Sequence, residues 1–382
     1  MSVLKPMLMI PFKVAIQQSR LDDLKKRIMH TRWPDVHNSH DWQTGMSLSW
    51  IKTIASYWAD DFDWRAIEAR INTYPNFITV IDGVNIHYLY IKSKAPKAMP
   101  LLISHGWPGS FLEMLNVIPL LTNGEGPTFD IVIPSLPGFA FSGDPHIPGV
   151  NARFIGALWV KLMRQLRYEK FIAQGGDFGA MISTHMALQY PEVLHGLHLN
   201  YIPFNYRPYL APGETLTPAE TAAQEKTAKF FAAEGAYAQV QSTKPLTLSY
   251  GLNDAPAGLC AWILQIFHSF SDRQRPLEQL FDKDMLLANV TLYWLTGTIY
   301  SSMRLYRESQ QMPLAFGKDD FVRVPTGVSR YPFPDSFPDR RYIERGYNVQ
   351  YWKEMPEGGH FAAMEQPALF AEDIKAFAAT LA

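Results

Sequence analysis

Ile-Ala-Gln-Gly-Gly-Asp-Phe-Gly-Ala, residues 172–180, carries an apolar strand straight into a helix through a Gly-x-Asp-x-Gly turn centred on Asp177. Glycines two positions before and after the aspartate let the strand and the helix approach each other, and the central residue of such a turn takes a strained backbone conformation. The turn therefore predicts that Asp177 is a nucleophile. An ordinary strand-to-helix turn, with Asp177 as the helix N-cap, is the alternative.

An aspartate at this position favours displacement at a saturated carbon. The complete serine motif Gly-x-Ser-x-Gly does not occur in the sequence, which disfavours serine acyl transfer. A carboxylate is already ionised at neutral pH and needs no base before it attacks. The product of its attack is an alkyl ester, and hydrolysis of that ester requires a water-activating base and an oxyanion hole.

Two further motifs supply candidates for the base and the oxyanion hole. His360 lies in Glu-Gly-Gly-His-Phe-Ala-Ala, residues 357–363, between the last predicted strand and a C-terminal helix, and is predicted to be the base. His-Gly-Trp-Pro-Gly-Ser, residues 105–110, follows an earlier predicted strand. The backbone N–H groups of Trp107 and Phe178 are predicted to form the oxyanion hole. A tight turn without chemistry is the alternative for residues 105–110.

Short apolar runs alternate with helical stretches on both sides of the Asp177 turn. Strands are predicted at residues 77–81, 84–91, 101–104, 130–133, 171–174, 197–200, 322–328 and 348–352. Buried runs separated by helices indicate a mostly parallel central sheet that is covered on both faces. From residue 201 to about residue 311 the alternation gives way to helices, which predicts a helical cap inserted between two strands.

The chain order, with the nucleophile first and the histidine last, is that of the α/β-hydrolase fold. We predict an N-terminal meander with the first strands at residues 1–95 and the first part of the hydrolase core at residues 96–203. The helical cap is predicted at residues 204–311 and the second part of the core at residues 312–382.

The composition argues against several classes of partner. A formal net charge of −1 provides no positive field for nucleic acid or an anionic membrane surface. No apolar run approaches the roughly 18 residues that a bilayer span requires. The single cysteine, Cys260, cannot form an internal disulfide and is expected to be a buried thiol. His105 and His360 have no further ligands at zinc-like spacing, so we expect neither a metal nor a cofactor.

Together these motifs resemble the microsomal-type epoxide hydrolase family, which includes the juvenile hormone epoxide hydrolases and their bacterial and fungal relatives. The resemblance covers nearly the whole chain and rests on an ordered set of motifs at residues 31–34, 105–110, 134–139, 175–179, 235–237, 243–245, 304–308 and 358–363. It implies that a small lipophilic epoxide and water are converted to a vicinal diol through an ester on Asp177. It also implies that two cap tyrosines, Tyr237 and Tyr306, hold and protonate the epoxide oxygen.

The acid partner of the histidine departs from the family pattern. The family commonly has Phe-Pro-x-Asp or Phe-Pro-x-Glu, whereas residues 331–339 read Tyr-Pro-Phe-Pro-Asp-Ser-Phe-Pro-Asp. Counting without gaps puts Pro334 at the position of the acid, and a shift of one residue gives Asp335. We expect Asp335 to be the partner because the histidine needs a carboxylate to fix its tautomer. Asp339 is the second candidate, and a turn residue is the alternative for either.

Two other functions remain open at this point. A haloalkane dehalogenase shares the aspartate, the histidine and the ester, but it normally has a tryptophan after the nucleophile, where this chain has Phe178. A non-catalytic carrier of lipophilic ligands on the same fold is the other alternative. Membrane-bound family members carry an anchor before the meander, and this chain begins at the meander. We therefore expect a soluble, cytoplasmic enzyme without a membrane anchor, and the oligomeric state, a homodimer included, is left open.

Overall fold

A nine-stranded sheet forms the centre of the protein, in a computed structural model that describes residues 9–335 and 337–381. Along the chain the strands are β1 (Ile10–Phe12), β2 (Asn76–Ile81), β3 (Val84–Ile91), β4 (Met99–Ser104), β5 (Phe129–Pro134), β6 (Phe171–Gly175), β7 (Leu194–Leu199), β8 (Val322–Arg330) and β9 (Tyr347–Glu354). Their order in the sheet is β1-β2-β3-β5-β4-β6-β7-β8-β9. The pairs β1–β2, β2–β3 and β3–β5 are antiparallel, and the remaining pairs are parallel.

Helices surround this sheet. They are α1 (Gln18–Met29), α2 (Leu48–Asp60), α3 (Trp64–Ile71), α4 (Ile118–Thr122), α5 (Ala152–Gln165), α6 (Asp177–Gln189), α7 (Pro218–Glu234), α8 (Ala236–Thr243), α9 (Pro245–Leu252), α10 (Pro256–Ser269), α11 (Leu277–Leu280), α12 (Lys283–Thr296), α13 (Ile299–Gln310), α14 (Arg340–Glu344), α15 (Ala362–Glu365) and α16 (Pro367–Ala379). The α/β-hydrolase fold and the mostly parallel sheet predicted from the sequence are confirmed.

The central strands bury both of their faces. Along β6, Ile172 belongs to one hydrophobic core and Ala173 to another, because successive side chains of a strand point to opposite sides of the sheet. Residues of α5 and α6 complete the core that contains Ala173, and residues of α4 and α16 complete the core that contains Ile172. This burial on two sides explains why the central strands are continuous apolar runs in the sequence.

The helices α7 to α13 lie between β7 and β8 in the chain. Helix α12 ends at Thr296 and α13 begins at Ile299. Gly297 separates them, with a φ of 65°, a left-handed conformation that ends a helix and that glycine adopts without strain. Cys260, on α10, is 1% exposed, which confirms the expected buried thiol.

None of the helices within the described residues combines the length and the apolar character that crossing a bilayer requires.

Candidate active site

The turn between β6 and α6 presents Asp177 at the carboxyl edge of the sheet. Asp177 has a φ of 49°, a conformation that non-glycine residues rarely adopt. A Cβ atom on Gly175 would lie 2.2 Å from the Gly179 carbonyl oxygen, and one on Gly179 would lie 1.9 Å from the Ser104 carbonyl oxygen. Both glycines are therefore needed for the close approach of strand and helix. Strained residues of this kind are concentrated at functional sites.

A backbone N–H group and an imidazole lie against the Asp177 carboxylate. The Trp107 backbone N–H donates a hydrogen bond to Oδ1 at 2.9 Å, and Nε2 of His360 lies 3.2 Å from Oδ2. Phe178 is the second residue of α6, where backbone N–H groups have no partner within the helix. The histidine side chain is 5% exposed and the aspartate side chain 21%. The structure thus brings together the predicted nucleophile, the predicted base and the residues of the predicted oxyanion hole.

The loop that carries His360 is attached to the cap and to the C-terminal helices. The His360 backbone N–H donates to the Phe270 carbonyl oxygen at 3.1 Å, just after α10. The imidazole packs edge-on against the rings of Tyr201, at 4.9 Å, and Phe270, at 5.3 Å. The Phe361 N–H donates to Oε1 of Glu365 at 3.0 Å, and burial raises the pKa of Glu365 to about 8. These contacts fix the position of the imidazole.

A cavity of about 480 Å³ lies between Asp177 and the cap. Its wall is largely apolar and aromatic, with Phe178, Met181, Tyr201, Pro203, Phe204, Phe231, Phe270 and Pro313 among the lining residues. Asp177, Tyr237 and Tyr306 also line it. An apolar cavity with a few convergent polar groups is the usual form of a site for a small lipophilic molecule.

The two tyrosines lie close to each other and to Trp107. The Tyr237 ring is stacked on Trp107 at 5.5 Å, and the Tyr306 ring meets Trp107 edge-on at 5.6 Å. The ring centroids of Tyr237 and Tyr306 are 5.9 Å apart. Burial, with the nearby Asp177 carboxylate as a further cause, raises the pKa of both phenols above the ordinary value. Both hydroxyls are therefore protonated at neutral pH and can donate hydrogen bonds.

The structure corrects the expectation for Asp335. Its side chain is 54% exposed and forms ion pairs with Lys226 and Arg330 rather than with His360. The second candidate, Asp339, is the N-cap of α14 and accepts a hydrogen bond from the Arg341 N–H at 2.9 Å.

Pro334, the residue found by counting without gaps, lines a small cavity that His360 also lines. Proline has no carboxylate, and the carboxylate of the next residue, Asp335, pairs with Lys226 and Arg330, so the prediction that Asp335 is the partner of His360 is wrong.

Asp335→Asn is expected to leave turnover within about twofold of the wild type, because an exposed ion pair contributes only about 0–1 kcal/mol and the carboxylate does not reach the site. Steady-state kinetics together with thermal unfolding would check this. A loss of turnover of tenfold or more without a change in unfolding would contradict the assignment of Asp335 to the surface.

Several residues of the site were missed by the sequence analysis. Tyr201 follows the end of β7, and its position there was a usable signal because functional groups gather at the carboxyl ends of parallel strands. Phe270 and Glu365 carried no such signal, since their contacts with the His360 loop depend on the packing of the cap and of α15. Within residues 9–335 and 337–381, no group of three or more histidine, cysteine, aspartate or glutamate side chains is arranged to hold a metal ion.

The fold and the site define an α/β hydrolase, and the family profile described as "alpha/beta hydrolase fold" matches residues 99–247. The profile described as "Epoxide hydrolase N terminus" matches residues 9–114. The chain is 41% identical to "Putative epoxide hydrolase" of Stigmatella aurantiaca, over 96% of this chain and 83% of that protein. It is 34% identical to "Epoxide hydrolase 1" of Sus scrofa, over 96% of this chain and 88% of that protein.

A solved structure supports the same family relationship. The juvenile hormone epoxide hydrolase of the silkworm Bombyx mori superimposes with a TM-score of 0.88 at 30% identity, covering 98% of this chain and 95% of that chain. This chain belongs to the epoxide hydrolase family, as the sequence motifs had predicted.

Proposed function

We propose that this protein converts an epoxide to a vicinal diol through a covalent alkyl ester on Asp177. The observation that carries the proposal is the position of the Asp177 carboxylate. It lines one apolar cavity with two protonated phenols, and it contacts the imidazole of His360. The family relationship supports the same reaction.

In the first half of the reaction, a carboxylate oxygen of Asp177 attacks one carbon of the epoxide ring. The carbon–oxygen bond of the ring breaks, and its electron pair moves to the epoxide oxygen. In-line displacement puts this oxygen on the side away from the carboxylate, toward the cap. The hydroxyls of Tyr237 and Tyr306 then hydrogen-bond to it, and one of them gives up its proton, because an alkoxide is a stronger base than a phenolate.

In the second half, His360 removes a proton from water as the water oxygen bonds to the ester carbon of Asp177. The carbonyl electron pair moves to an oxygen held by the Trp107 and Phe178 N–H groups. The tetrahedral intermediate collapses, and the diol oxygen leaves with the proton that His360 had taken from water. The proton left on the Asp177 carboxyl group passes to the phenolate, so one water is consumed for each epoxide and the Asp177 carboxylate is regenerated.

Measuring product with styrene-oxide-like, terpene and long-chain epoxides tests this proposal. Diol formation, with no chloride or bromide released from haloalkanes of similar size, is the expected result. Halide release that exceeds diol formation would instead identify a haloalkane dehalogenase. Epoxide binding without any diol would identify a carrier.

Replacing the cap phenols is expected to slow ring opening. Tyr237→Phe and Tyr306→Phe should each lower kcat/KM by about 10- to 100-fold, and the double variant by about 1,000-fold or more, because one phenol can partly replace the other as acid. Formation of the ester in a single turnover is the measurement.

Tyr250→Phe is the matched control for these variants, since Tyr250 is 71% exposed and lies outside the cavity. Ester formation at the wild-type rate in the double variant would exclude the phenols as proton donors.

A further inference from the structure

A second, smaller cavity adjoins Asp177. Its volume is about 20 Å³. Among the described residues, Asp177 is the one that lines both this cavity and the 480 Å³ cavity. His360 also lines the smaller cavity, which we call the rear cavity. A cavity needs about 10–15 Å³ to hold one water molecule, so the rear cavity has room for one water but not for a substrate.

The lining of the rear cavity includes polar side chains that have no role in the reaction described above. Ser104 and Gln174 line it, and each is 1% exposed. Within the described residues, neither Oγ of Ser104 nor Oε1 of Gln174 has a hydrogen-bond partner. Nε2 of Gln174 donates to Oδ1 of Asn200 at 2.8 Å, which holds the amide in place. Buried polar atoms without protein partners are rare, and ordered water commonly satisfies them.

Glu113 adds a carboxyl group to the same lining. A Cβ atom on Gly109 would lie 1.6 Å from Oε1 of Glu113, so glycine at that position makes room for the carboxyl group. Burial, with the negative charge of Asp177 as the second cause, raises the pKa of Glu113 to about 8. At pH 7 the carboxyl group is therefore mostly neutral, and it can both donate and accept a hydrogen bond without adding negative charge beside the ester.

We propose that Glu113 is a positioning residue that holds, together with Gln174 and Ser104, the water that hydrolyses the Asp177 ester. The inference rests on the proposed function, because it requires the ester to form. A water in the rear cavity adjoins both the ester carbon and His360. As the water oxygen bonds to that carbon, one water proton moves to Nε2 of His360 and the carbonyl electron pair moves to the oxygen held by Trp107. Glu113 keeps its own proton and acts through the water that it holds.

Two substitutions at Glu113 separate this role from a structural one. Glu113→Gln keeps a carbonyl oxygen and a donor, whereas Glu113→Met has a similar length and neither group. In single turnovers, Glu113→Met is expected to slow ester hydrolysis by about 10- to 100-fold and to leave ester formation within about twofold of the wild type. Glu113→Gln is expected to hydrolyse the ester within about threefold of the wild-type rate. Glu125→Gln, at an exposed glutamate, is the control and should change neither step.

Ser104→Ala provides a second measurement with little risk to folding, and it should slow hydrolysis several-fold without affecting ester formation. The inference is overturned if both steps slow equally in the Glu113 variants, or if Gln is as damaging as Met. It is also overturned if hydrolysis is unchanged in Ser104→Ala and in every Glu113 variant that folds. Failure of the wild type to form any ester would refute the proposed function, which is a different result from an ester that forms and is hydrolysed normally in the variants.

Discussion

Asp177→Asn is expected to abolish diol formation, with a loss of about 10⁴-fold or more in kcat, the scale seen when a nucleophile is removed from an enzyme. The amide oxygen can still accept the hydrogen bond from the Trp107 N–H, so the local structure should be retained. What is lost is the ionised oxygen that attacks the ring carbon. Steady-state diol formation and the mass of the intact protein after incubation with epoxide are the two measurements, and no covalent adduct should form.

The control for this variant is Asp335→Asn, the same chemical change on an exposed aspartate that forms ion pairs with Lys226 and Arg330. Asp177→Ala, which cannot regenerate aspartate by deamidation, should agree with Asp177→Asn. Turnover by Asp177→Ala within about tenfold of the wild type would rule out the ester mechanism.

His360→Gln is expected to stop the reaction halfway. A carboxylate needs no base to attack the epoxide, so the ester should form at close to the wild-type rate. Its hydrolysis should slow by about 10²- to 10⁴-fold, the usual contribution of a general base. Intact-protein mass spectrometry should then show an increase equal to the mass of the epoxide, and peptide mapping should locate it at Asp177.

His37→Gln is the matched control, because His37 is exposed and far from Asp177 in the sequence. It should accumulate no adduct. If His360→Gln neither accumulates ester nor loses steady-state activity, the base must be another group. If it fails to form ester at all, the imidazole is needed for the first step as well.

The sequence was most informative where local geometry restricts the choice of residue. Gly175 and Gly179 are required by backbone atoms 2.2 Å and 1.9 Å from where their Cβ atoms would be, so the turn around Asp177 is visible as a motif. The alternation of apolar strands and helices predicted the sheet, because the spacing of apolar residues within each element is a local property of the sequence. Tyr237 and Tyr306 were different, because only resemblance to the family selected them among 18 tyrosines.

Contacts formed by the tertiary structure could not be predicted in this way. In the proline-rich segment around residues 331–339, a shift of one residue changes which side chain lies beside His360. Asp335 forms ion pairs with Arg330, which is near in the sequence, and with Lys226, which is distant, and the local sequence predicts neither contact. Glu113 was equally hidden. A glutamate is usually exposed, and no local pattern in the sequence indicates that the carboxyl group of Glu113 lies against Gly109 and lines a cavity with Asp177.

The backbone hydrogen bond from His360 to Phe270 links the cap to the loop that carries the proposed base. A cap that swings outward to admit a bulky epoxide must either stretch this bond or carry the imidazole with it. The size of the substrate would then affect the rate of ester hydrolysis as well as the affinity for the epoxide. If the caps of two relatives are exchanged, ester hydrolysis should accordingly be retained only when the backbone carbonyl at position 270 keeps the position that it has here.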